Sequence, residues 1–431
     1  MKVNYPTGVE NHGGFLRIWF MYQGQRVREG LGVTDTPKNR KAAGELRASV
    51  AYSIKVGAFD YAKQFPSSSN LNRFGLARQE LTVGELAEKW LAIKETEISK
   101  NSHGSYTTRV KTSIALLGAN KMVSSIRTET MQTLRTNLLK GSFTQGRNNN
   151  VTKTGRSVAY VNTCMTDMFS MLKFAHNNGY IERNPMAALG RLKRDKKKPD
   201  PVERDEFQRL ISAMKTRQLR NFWSLAVYTG LRHGELCALA WEDIDLKKWT
   251  LNVSRNLTKD GDFTPPKTDS GFRSVYLIEA ARDVIRDQME LTRMRKSITV
   301  PVAGREYGKS EHEELTFIFN PKVNAINNAS NDYYAVSSLA QTWRAAMVKA
   351  GLRLRKAYQS RHTYACWSLS AGANPNFIAS QMGHADAQMV YQVYGAWMAE
   401  NDDAQLSLMN SKLNDFAPLL PQTHTGYTYN S

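Results

Sequence analysis

Two stretches without regular spacing of apolar residues divide this chain of 431 residues. The first, FPSSSNLNRFGLARQ, covers residues 65–79, and the second contains the basic run RLKRDKKKPDP within residues 188–202. A chain of this length normally folds as several domains rather than around one core. We therefore predict two linkers. They separate three folded units and a polar C-terminal tail, which cover residues 1–64, 80–187, 203–415 and 416–431.

The first unit has the pattern of a small β-sheet followed by one helix. Apolar side chains alternate along residues 15–22, which predicts a strand with one buried face. After a short turn, Arg26 and Arg28 share one face of a second strand, and Arg17 lies on the neighbouring strand. A helix from residue 37 to residue 56, with proline at its first position, completes the unit.

The second unit is predicted to be all helical. Thr82 and Glu85 form a capping box, and the helix behind them is expected to bury Leu86, Trp90 and Ile93. Further helical patterns cover residues 106–117, 128–140 and 157–178, with a loop at 141–155.

The third unit shows helices mixed with short strands. Helical patterns cover residues 203–216 and 218–228, and strands are expected at residues 250–256 and 273–277. Most of the sequence beyond them is helical in pattern. The predicted fold class is therefore multidomain α+β, with a mainly helical third unit that contains a β-hairpin.

The positive charge lies mostly in the first two units. The chain carries a net charge of +20, and residues 1–200 contribute +17 of it. Such an excess favours a polyanionic partner, either nucleic acid or an anionic membrane surface, over a merely solvated basic surface. The second linker either is simply flexible or also follows a phosphate backbone. Its candidate contacts are Lys193, Arg194, Lys196, Lys197 and Lys198.

Several function classes find no signal in the sequence. No run approaches 18 consecutive apolar residues, and the first ten residues lack a signal-peptide core, so we expect a cytoplasmic protein without membrane contact. Three distant cysteines fit a reducing compartment. The segment at 304–310 resembles a phosphate-binding loop, but it has three residues between its glycines where that loop needs four. Without any cluster at metal-ligand spacing, we expect no cofactor and no metal.

Short polar motifs recur along the third unit. In TGLRHGEL, Arg232 follows a helix end, and Glu235 lies three residues on, close enough to orient it. Arg361 opens a later helix, and His384 follows a glycine that ends another. Tyr394 lies ten residues beyond His384. Taken singly, these residues are explained as a surface ion pair, a capping histidine and a core aromatic.

Taken in order, the motifs resemble those of the tyrosine recombinases, the phage-integrase family. TGLRHGEL resembles the first arginine box, SRHT the second, and QMGH the leucine-glycine-histidine box, while PPKT before a strand resembles the β-hairpin lysine. The matching positions are Arg232, Lys267, Arg361, His384 and Tyr394. The resemblance implies an arm-type DNA-binding domain at 1–64, a core-binding (SAM-like) domain at 80–187 and a catalytic domain at 203–415.

The family's chemistry assigns a role to each of these residues. Tyr394 is implied as the nucleophile that forms a 3′-phosphotyrosyl link, and Lys267 as the acid for the departing 5′ oxygen. Two arginines and a histidine would stabilise the charge on the phosphate. Tyr358 stands where the family usually has histidine, three residues before Arg361. His362, next to Arg361, is expected to face elsewhere on the helix and to be structural.

The sequence therefore predicts a site-specific recombinase that integrates and excises a phage or mobile-element genome in a bacterial host. The implied partners are double-stranded DNA at core-type and arm-type sites, further copies of the chain in a synaptic tetramer, a DNA-bending protein and an excision factor. Arg17, Arg26 and Arg28 are the predicted arm contacts. The alternatives are a type IB topoisomerase and a DNA-binding regulator whose catalytic set has decayed.

Overall fold

A computed structural model describes residues 4–74, 80–145, 151–195, 198–306, 308–323, 331–397 and 402–413. The predicted tail at 416–431 lies outside these residues, as do residues 75–79 of the first predicted linker. The chain forms two compact units. One comprises Met1–Glu95 with Ser102–Lys193, and the other comprises Thr96–Asn101 with Arg194–Ser431. The finer division of the first unit into two domains stays a prediction.

The N-terminal part of the first unit is a three-stranded antiparallel sheet covered by a helix. It contains β1 Val9–His12, β2 Phe15–Tyr22, β3 Gln25–Thr34, α1 Pro37–Lys55, α2 Tyr61–Gln64 and α3 Asn70–Arg73. Leu16, Ile18 and Phe20 are buried on one face of β2, as the alternation predicts. The side chain of Thr36 caps α1, with proline at the first helical position. The helix α3 and its buried Leu71 fall within the first predicted linker.

The remainder of the first unit is mainly helical. Its elements are α4 Val83–Glu97, α5 Lys100–Leu117, α6 Thr128–Lys140, β4 Ser142–Gln145, β5 Val151–Thr154 and α7 Val158–Asn177, except that the end of α4 and the start of α5 fall in the segment Thr96–Asn101 of the second unit. Thr82 and Glu85 form the predicted capping box, with hydrogen bonds of 2.8 and 3.2 Å. Leu86 and Trp90 are buried, but the prediction for Ile93 is wrong because its side chain is exposed. The predicted loop at 141–155 contains the β4–β5 hairpin.

The second unit surrounds one large core with helices and two small sheets. Its helices are α8 Arg204–Ala213, α9 Arg217–Thr229, α10 His233–Cys237, α11 Glu279–Thr292, α12 Val336–Lys349, α13 Gln359–Ser370, α14 Pro375–Met382, α15 Gln388–Tyr394 and α16 Asp402–Leu413. Its strands are β6 Ile244–Asp245, β7 Thr250–Val253, β8 Asn256–Leu257, β9 Phe263–Thr264, β10 Arg273–Tyr276, β11 Ile298–Ala303 and β12 Ser310–Leu315.

The two sheets of the second unit have the strand orders β10-β7-β6 and β12-β11-β9-β8. The core packs apolar faces of α8, α9, α11 and α12 against these strands. The predicted strand at 250–256 is split, since β7 ends at Val253 and β8 begins at Asn256 in the other sheet. The multidomain α+β class is confirmed. No helix in the described ranges is long and apolar enough to cross a membrane.

Candidate active site

Two helices of the second unit end in glycines that lie close to functional side chains. Gly230 ends α9 and Gly383 ends α14, both in the left-handed conformation with φ of 64° and 68°. A Cβ atom at Gly230 would lie 2.4 Å from the Tyr364 ring, and one at Gly383 would lie 3.0 Å from the Ser270 carbonyl oxygen. Both positions therefore need glycine, and each helix end approaches its neighbours closely.

Arg361 on α13 is held between these two helix ends. Its side chain is buried, and it donates from Nη1 to the Gly230 carbonyl and from Nη2 to the Met382 carbonyl, each at 2.6 Å. Carbonyls at helix C-termini carry partial negative charge and compensate part of the guanidinium charge. Burial, followed by the nearby charge of Arg232, lowers the pKa of Arg361 to about 10. Arg361 thus stays protonated at neutral pH.

Glu235 on α10 aligns two further arginines. Its carboxylate accepts from the Arg232 backbone N–H at 2.8 Å and from Arg232 Nη1 at 2.7 Å, which is the predicted orienting contact. It also accepts from Arg273 Nη1 at 3.2 Å and Nη2 at 2.8 Å. Burial alone would raise the pKa of Glu235, but the hydrogen bond and charge of Arg273 and the charge of Arg232 outweigh it and lower that pKa. Glu235 is therefore an anion at neutral pH.

The two arginines bound to Glu235 differ in exposure. The Arg273 side chain is 5% exposed, and it also donates from Nε to the Gln381 carbonyl at 2.7 Å. The Arg232 side chain is 38% exposed. Arg232 is thus the guanidinium of this pair that can reach a ligand from solvent, whereas Arg273 joins α10 to the end of α14.

His384 follows Gly383 and lies against Arg361. Arg361 Nη2 donates to His384 Nε2 at 3.1 Å, which leaves the proton of a neutral imidazole on Nδ1. That Nδ1 is buried and has no hydrogen-bond partner among the described residues. Burial and the charges of Arg361, Arg232 and Arg273 lower the pKa of His384 to about 4. The positive potential here is therefore only partly compensated within the described residues.

Tyr394 shares α15 with a second tyrosine, Tyr391, which occupies a different environment. The Tyr394 side chain is 3% exposed, and its hydroxyl lies 2.7 Å from His362 Nδ1. Burial raises the pKa of Tyr394 above the ordinary tyrosine value. Tyr391 is 50% exposed. The structure brings Tyr394 to the histidine that follows Arg361, and it leaves Tyr391 on the surface.

Lys267 and Tyr358 are both exposed. Lys267 is exposed in the connection between β9 and β10, and no hydrogen bond or ion pair joins it to a described residue. Tyr358 is 46% exposed at the start of α13. Its ring centroid lies 6.2 Å from that of His233 and 5.4 Å from that of His362. The structure therefore does not bring Lys267 into contact with the arginines.

The assembled charges favour an anionic ligand. Arg232, Arg273 and Arg361 contribute three positive charges, and Glu235 contributes one negative charge. A guanidinium binds phosphate oxygens well because it is planar and permanently charged. Within the described ranges, no group of three or more His, Cys, Asp or Glu side chains is arranged to hold a metal ion. The arrangement suits a phosphodiester placed beside a tyrosine hydroxyl.

The predicted arm contacts share one face of the N-terminal sheet. Arg17, Arg26 and Arg28 all lie near Glu10, with N–O distances of 2.8, 3.2 and 3.6 Å. The Arg26 guanidinium also lies 3.8 Å from the centroid of the Trp19 ring. Glu10 compensates one of the three charges, so the face remains positive. In the second linker, Lys193, Arg194 and Lys198 are exposed, whereas Lys196 and Lys197 lie outside the described residues.

Comparison with known proteins defines the family. Residues 6–69 match the Arm DNA-binding domain, and residues 201–400 match the Phage integrase family. The chain is 43% identical over 410 residues to the prophage integrase IntR of Escherichia coli K12, which covers 95% of this chain and 99% of IntR. It is 52% identical over 391 residues to IntQ of the same strain, whose name describes it as defective, covering 90% of this chain and 98% of IntQ. The chain belongs to the phage integrase family.

Solved structures show the same fold. A λ integrase dimer bound to a COC′ core site aligns with a TM-score of 0.53 and 15% identity over 93% of this chain and 97% of that one. A Tn1549 transposon integrase in complex with a circular intermediate DNA aligns with a TM-score of 0.55 and 18% identity over 76% of this chain and 99% of that one. The predicted family is confirmed, and the protein is a site-specific recombinase of the tyrosine type. Neither alternative, the topoisomerase or the decayed regulator, gains support.

Two functional candidates escaped the sequence analysis. Arg273 opens a strand, and no local spacing connects it to Glu235, which lies 38 positions earlier. His362 was expected to face elsewhere on the helix than Arg361 and to be structural, and the sequence analysis did not anticipate that its Nδ1 contacts the Tyr394 hydroxyl. Adjacent residues on a helix point about 100° apart, so His362 and Arg361 face different sides of α13. The helix α15 packs on the side that His362 faces. Only the tertiary arrangement of α13 and α15 reveals this contact.

Proposed function

We propose that this integrase cuts and rejoins double-stranded DNA with Tyr394 as its nucleophile. The observation that carries the proposal is the convergence of three guanidiniums, one neutral histidine and a buried tyrosine hydroxyl within one unit. A covalent phosphotyrosyl intermediate conserves the energy of the broken phosphodiester bond, so rejoining needs no external energy source. Tyr391 serves as the matched alternative because it lies on the same helix and is exposed.

In this reaction the arginines and His384 stabilise the negative charge of the phosphate in the transition state. Arg361 is fixed by two backbone carbonyls, and Arg232 is fixed by Glu235, so both are oriented before DNA binds. Burial and the charges of three arginines keep His384 neutral, and a bound phosphodiester would offset the positive potential of those arginines. His384 Nδ1 is a buried donor to which no described residue provides an acceptor. Removal of one such donor typically costs about 3–4 kcal/mol in activation free energy.

Lys267 and Tyr358 complete the proposed set from the exposed side. Lys267 lies in a connection between strands of different sheets, so it can approach the DNA without breaking a contact to a described residue. We assign it the protonation of the departing 5′ oxygen. The hydroxyl of Tyr358 is assigned a contact to the phosphate, in the position where the family usually has histidine.

The remaining surfaces divide DNA binding between two sites. Arg17, Arg26 and Arg28 are proposed to bind arm-type DNA, and the basic linker around Lys193 and Arg194 to follow the phosphates near the core site. A λ integrase tetramer bound to a Holliday junction aligns with 90% of this chain, which supports a tetrameric assembly here. A bacterial host, an excision factor and a DNA-bending protein complete the proposal. Integration and excision of a mobile genome are the proposed outcome.

A covalent-trapping assay tests this function. The core DNA is taken from the junctions that flank the coding gene and is prepared as nicked duplexes, from which the cleaved fragment diffuses away. Wild-type protein and Tyr391→Phe should accumulate a covalent protein–DNA adduct, whereas Tyr394→Phe should bind the same duplex and form none. An adduct that persists in Tyr394→Phe and disappears in Tyr391→Phe would move the nucleophile to Tyr391. No adduct from any protein would overturn the proposal.

A further inference from the structure

The buried hydroxyl of Tyr394 has a specific hydrogen-bond partner. His362 Nδ1 lies 2.7 Å from it, and the two ring centroids are 5.6 Å apart. Tyr394 is buried in a small core formed by α13, α14 and α15, and His362 is a half-buried residue of α13 that contacts it. The phenol side of the contact is therefore fixed by packing, since Tyr394 is 3% exposed. It places a basic nitrogen directly on the atom that has to attack the phosphate.

The protonation states of the pair and the tautomer of His362 determine the direction of this hydrogen bond. Burial, followed by the charge of Arg361, lowers the pKa of His362 below its ordinary value. Burial raises the pKa of Tyr394. Both groups are therefore neutral at neutral pH, and in the tautomer with its proton on Nε2 the imidazole accepts the phenol hydrogen bond at Nδ1. A phenol with a raised pKa does not ionise by itself at neutral pH, so its attack on phosphorus requires a group that accepts the proton.

The other nearby groups fit this role less well. His384 Nε2 already accepts a hydrogen bond from Arg361. The charged groups that shift the pKa of His384 are all arginines except Asp386, so protonation of His384 is disfavoured. Tyr358 occupies the position usual for the family's histidine, but it is itself a phenol, and its ring contacts His362 rather than the Tyr394 hydroxyl. Lys267 is exposed and is assigned to the leaving group. His362 is the described base that touches the reacting oxygen.

We propose that His362 is a catalytic residue that acts as the general base for Tyr394. The inference rests on the proposed function, since it presupposes that Tyr394 attacks DNA. In the cleavage step the bond between Tyr394 Oη and phosphorus forms, and the bond between phosphorus and the 5′ oxygen breaks. The phenol proton passes to His362 Nδ1, and the 5′ oxygen takes a proton from Lys267. Rejoining reverses both transfers, so that protonated His362 returns its proton to the departing phenol.

Two substitutions separate a base from a structural contact. In H362N the amide oxygen can take the place of Nδ1 and accept the hydroxyl hydrogen bond, but it cannot take up the proton. H362A removes both abilities. The control is H312N, the same change at an exposed histidine on β12. Single-turnover cleavage of the nicked duplex should be slowed about 100-fold or more by H362N and by H362A, the range expected for loss of a general base. DNA binding should be unchanged, and H312N should match wild type.

A more acidic nucleophile gives a readout that a structural role would not affect. Fluorotyrosine introduced at position 394 has a lower phenol pKa, so it depends less on a base. The factor by which H362N slows cleavage should therefore be at least tenfold smaller with fluorotyrosine at position 394 than with tyrosine. Should H362N fail to fold, as judged by thermal unfolding, H362A with added imidazole takes its place, and imidazole should restore cleavage in a saturable way.

The outcomes distinguish this inference from the proposed function. If wild type forms the Tyr394 adduct and H362N cleaves at the wild-type rate, His362 only positions the tyrosine, and the base assignment is overturned. A deficit that fluorotyrosine leaves unchanged, or an H362A protein that imidazole does not rescue, overturns it as well. If wild type forms no adduct at all, the proposed function fails first, and this inference fails with it.

Discussion

Substitution of Glu235 by glutamine should destabilise the second unit and impair cleavage together. Glu235 accepts four hydrogen bonds from Arg232 and Arg273, and its side chain is 3% exposed. Glutamine keeps the size of the side chain but leaves the buried Arg273 without an anionic partner. Removal of one partner from a buried ion pair costs about 3–5 kcal/mol, and we expect the lower end because the packing is preserved. For a domain of 150–250 residues, each kcal/mol lowers Tm by about 2–4 °C, so Tm should fall by roughly 6–12 °C.

Thermal unfolding measured between neutral and acidic pH tests this estimate. The pKa of Glu235 is lower in the folded state than in the unfolded state, where it is about 4.3. The ionised side chain therefore makes its full contribution to the free energy of unfolding above about pH 4.3, and this contribution is lost as the pH falls through the folded-state pKa. The difference in Tm between wild type and E235Q should therefore become smaller as the pH is lowered. E290Q is the control, since Glu290 forms an exposed ion pair with Arg217 and should cost under about 1 kcal/mol. A stability of E235Q within about 1 kcal/mol of wild type, with normal cleavage, would refute this reasoning.

Further predictions concern the exposed residues and the N-terminal domain. Lys267→Ala should cleave ordinary DNA slowly but should cleave a substrate with a 5′-thiolate leaving group at nearly the wild-type rate, because a thiolate departs without a proton. If the thiolate substrate is also cleaved slowly, Lys267 is only a phosphate contact. In single-turnover assays Tyr358→Phe should slow cleavage, whereas Tyr358→His should retain it. A wild-type rate for Tyr358→Phe would exclude a catalytic role for the Tyr358 hydroxyl. Deletion of residues 1–79 should leave core cleavage nearly intact and abolish footprints on flanking DNA, whereas persistent protection would indicate a protein-contact domain. Arg26→Ala should reduce the slope of log K against log salt concentration for flanking-DNA binding by about one, as measured by titration at several salt concentrations.

The elements that the sequence predicts well are those defined by local signals. The alternation in β2, the proline at the start of α1 and the glycines after α9 and α14 each act within a few residues. The β4–β5 hairpin was missed because its strands are short and largely polar, so no alternation distinguishes them from a loop. Ile93 was misplaced because helical spacing does not reveal that the core ends before that turn.

The candidate site was predictable only in part. The order of the motifs identifies Arg232, Arg361, His384 and Tyr394, since each occupies a recognisable box. The sequence cannot show which neighbours set the charge of these residues. Glu235 could be paired with Arg232 from a spacing of three, but its second partner comes from a distant strand. The helical position of His362 indicated a side away from Arg361, but it could not indicate that α15 packs there.

Identification of the DNA-bearing residue tests the central claim most directly. The covalent adduct formed with a nicked core duplex is digested with protease and nuclease, and the peptide that retains a nucleotide is sequenced by mass spectrometry. We predict a single modified peptide with a 3′-phosphonucleotide on Tyr394 and a free 5′ hydroxyl on the released DNA fragment. A nucleotide on Tyr391, or a 5′-phosphoryl link on any residue, would contradict the mechanism.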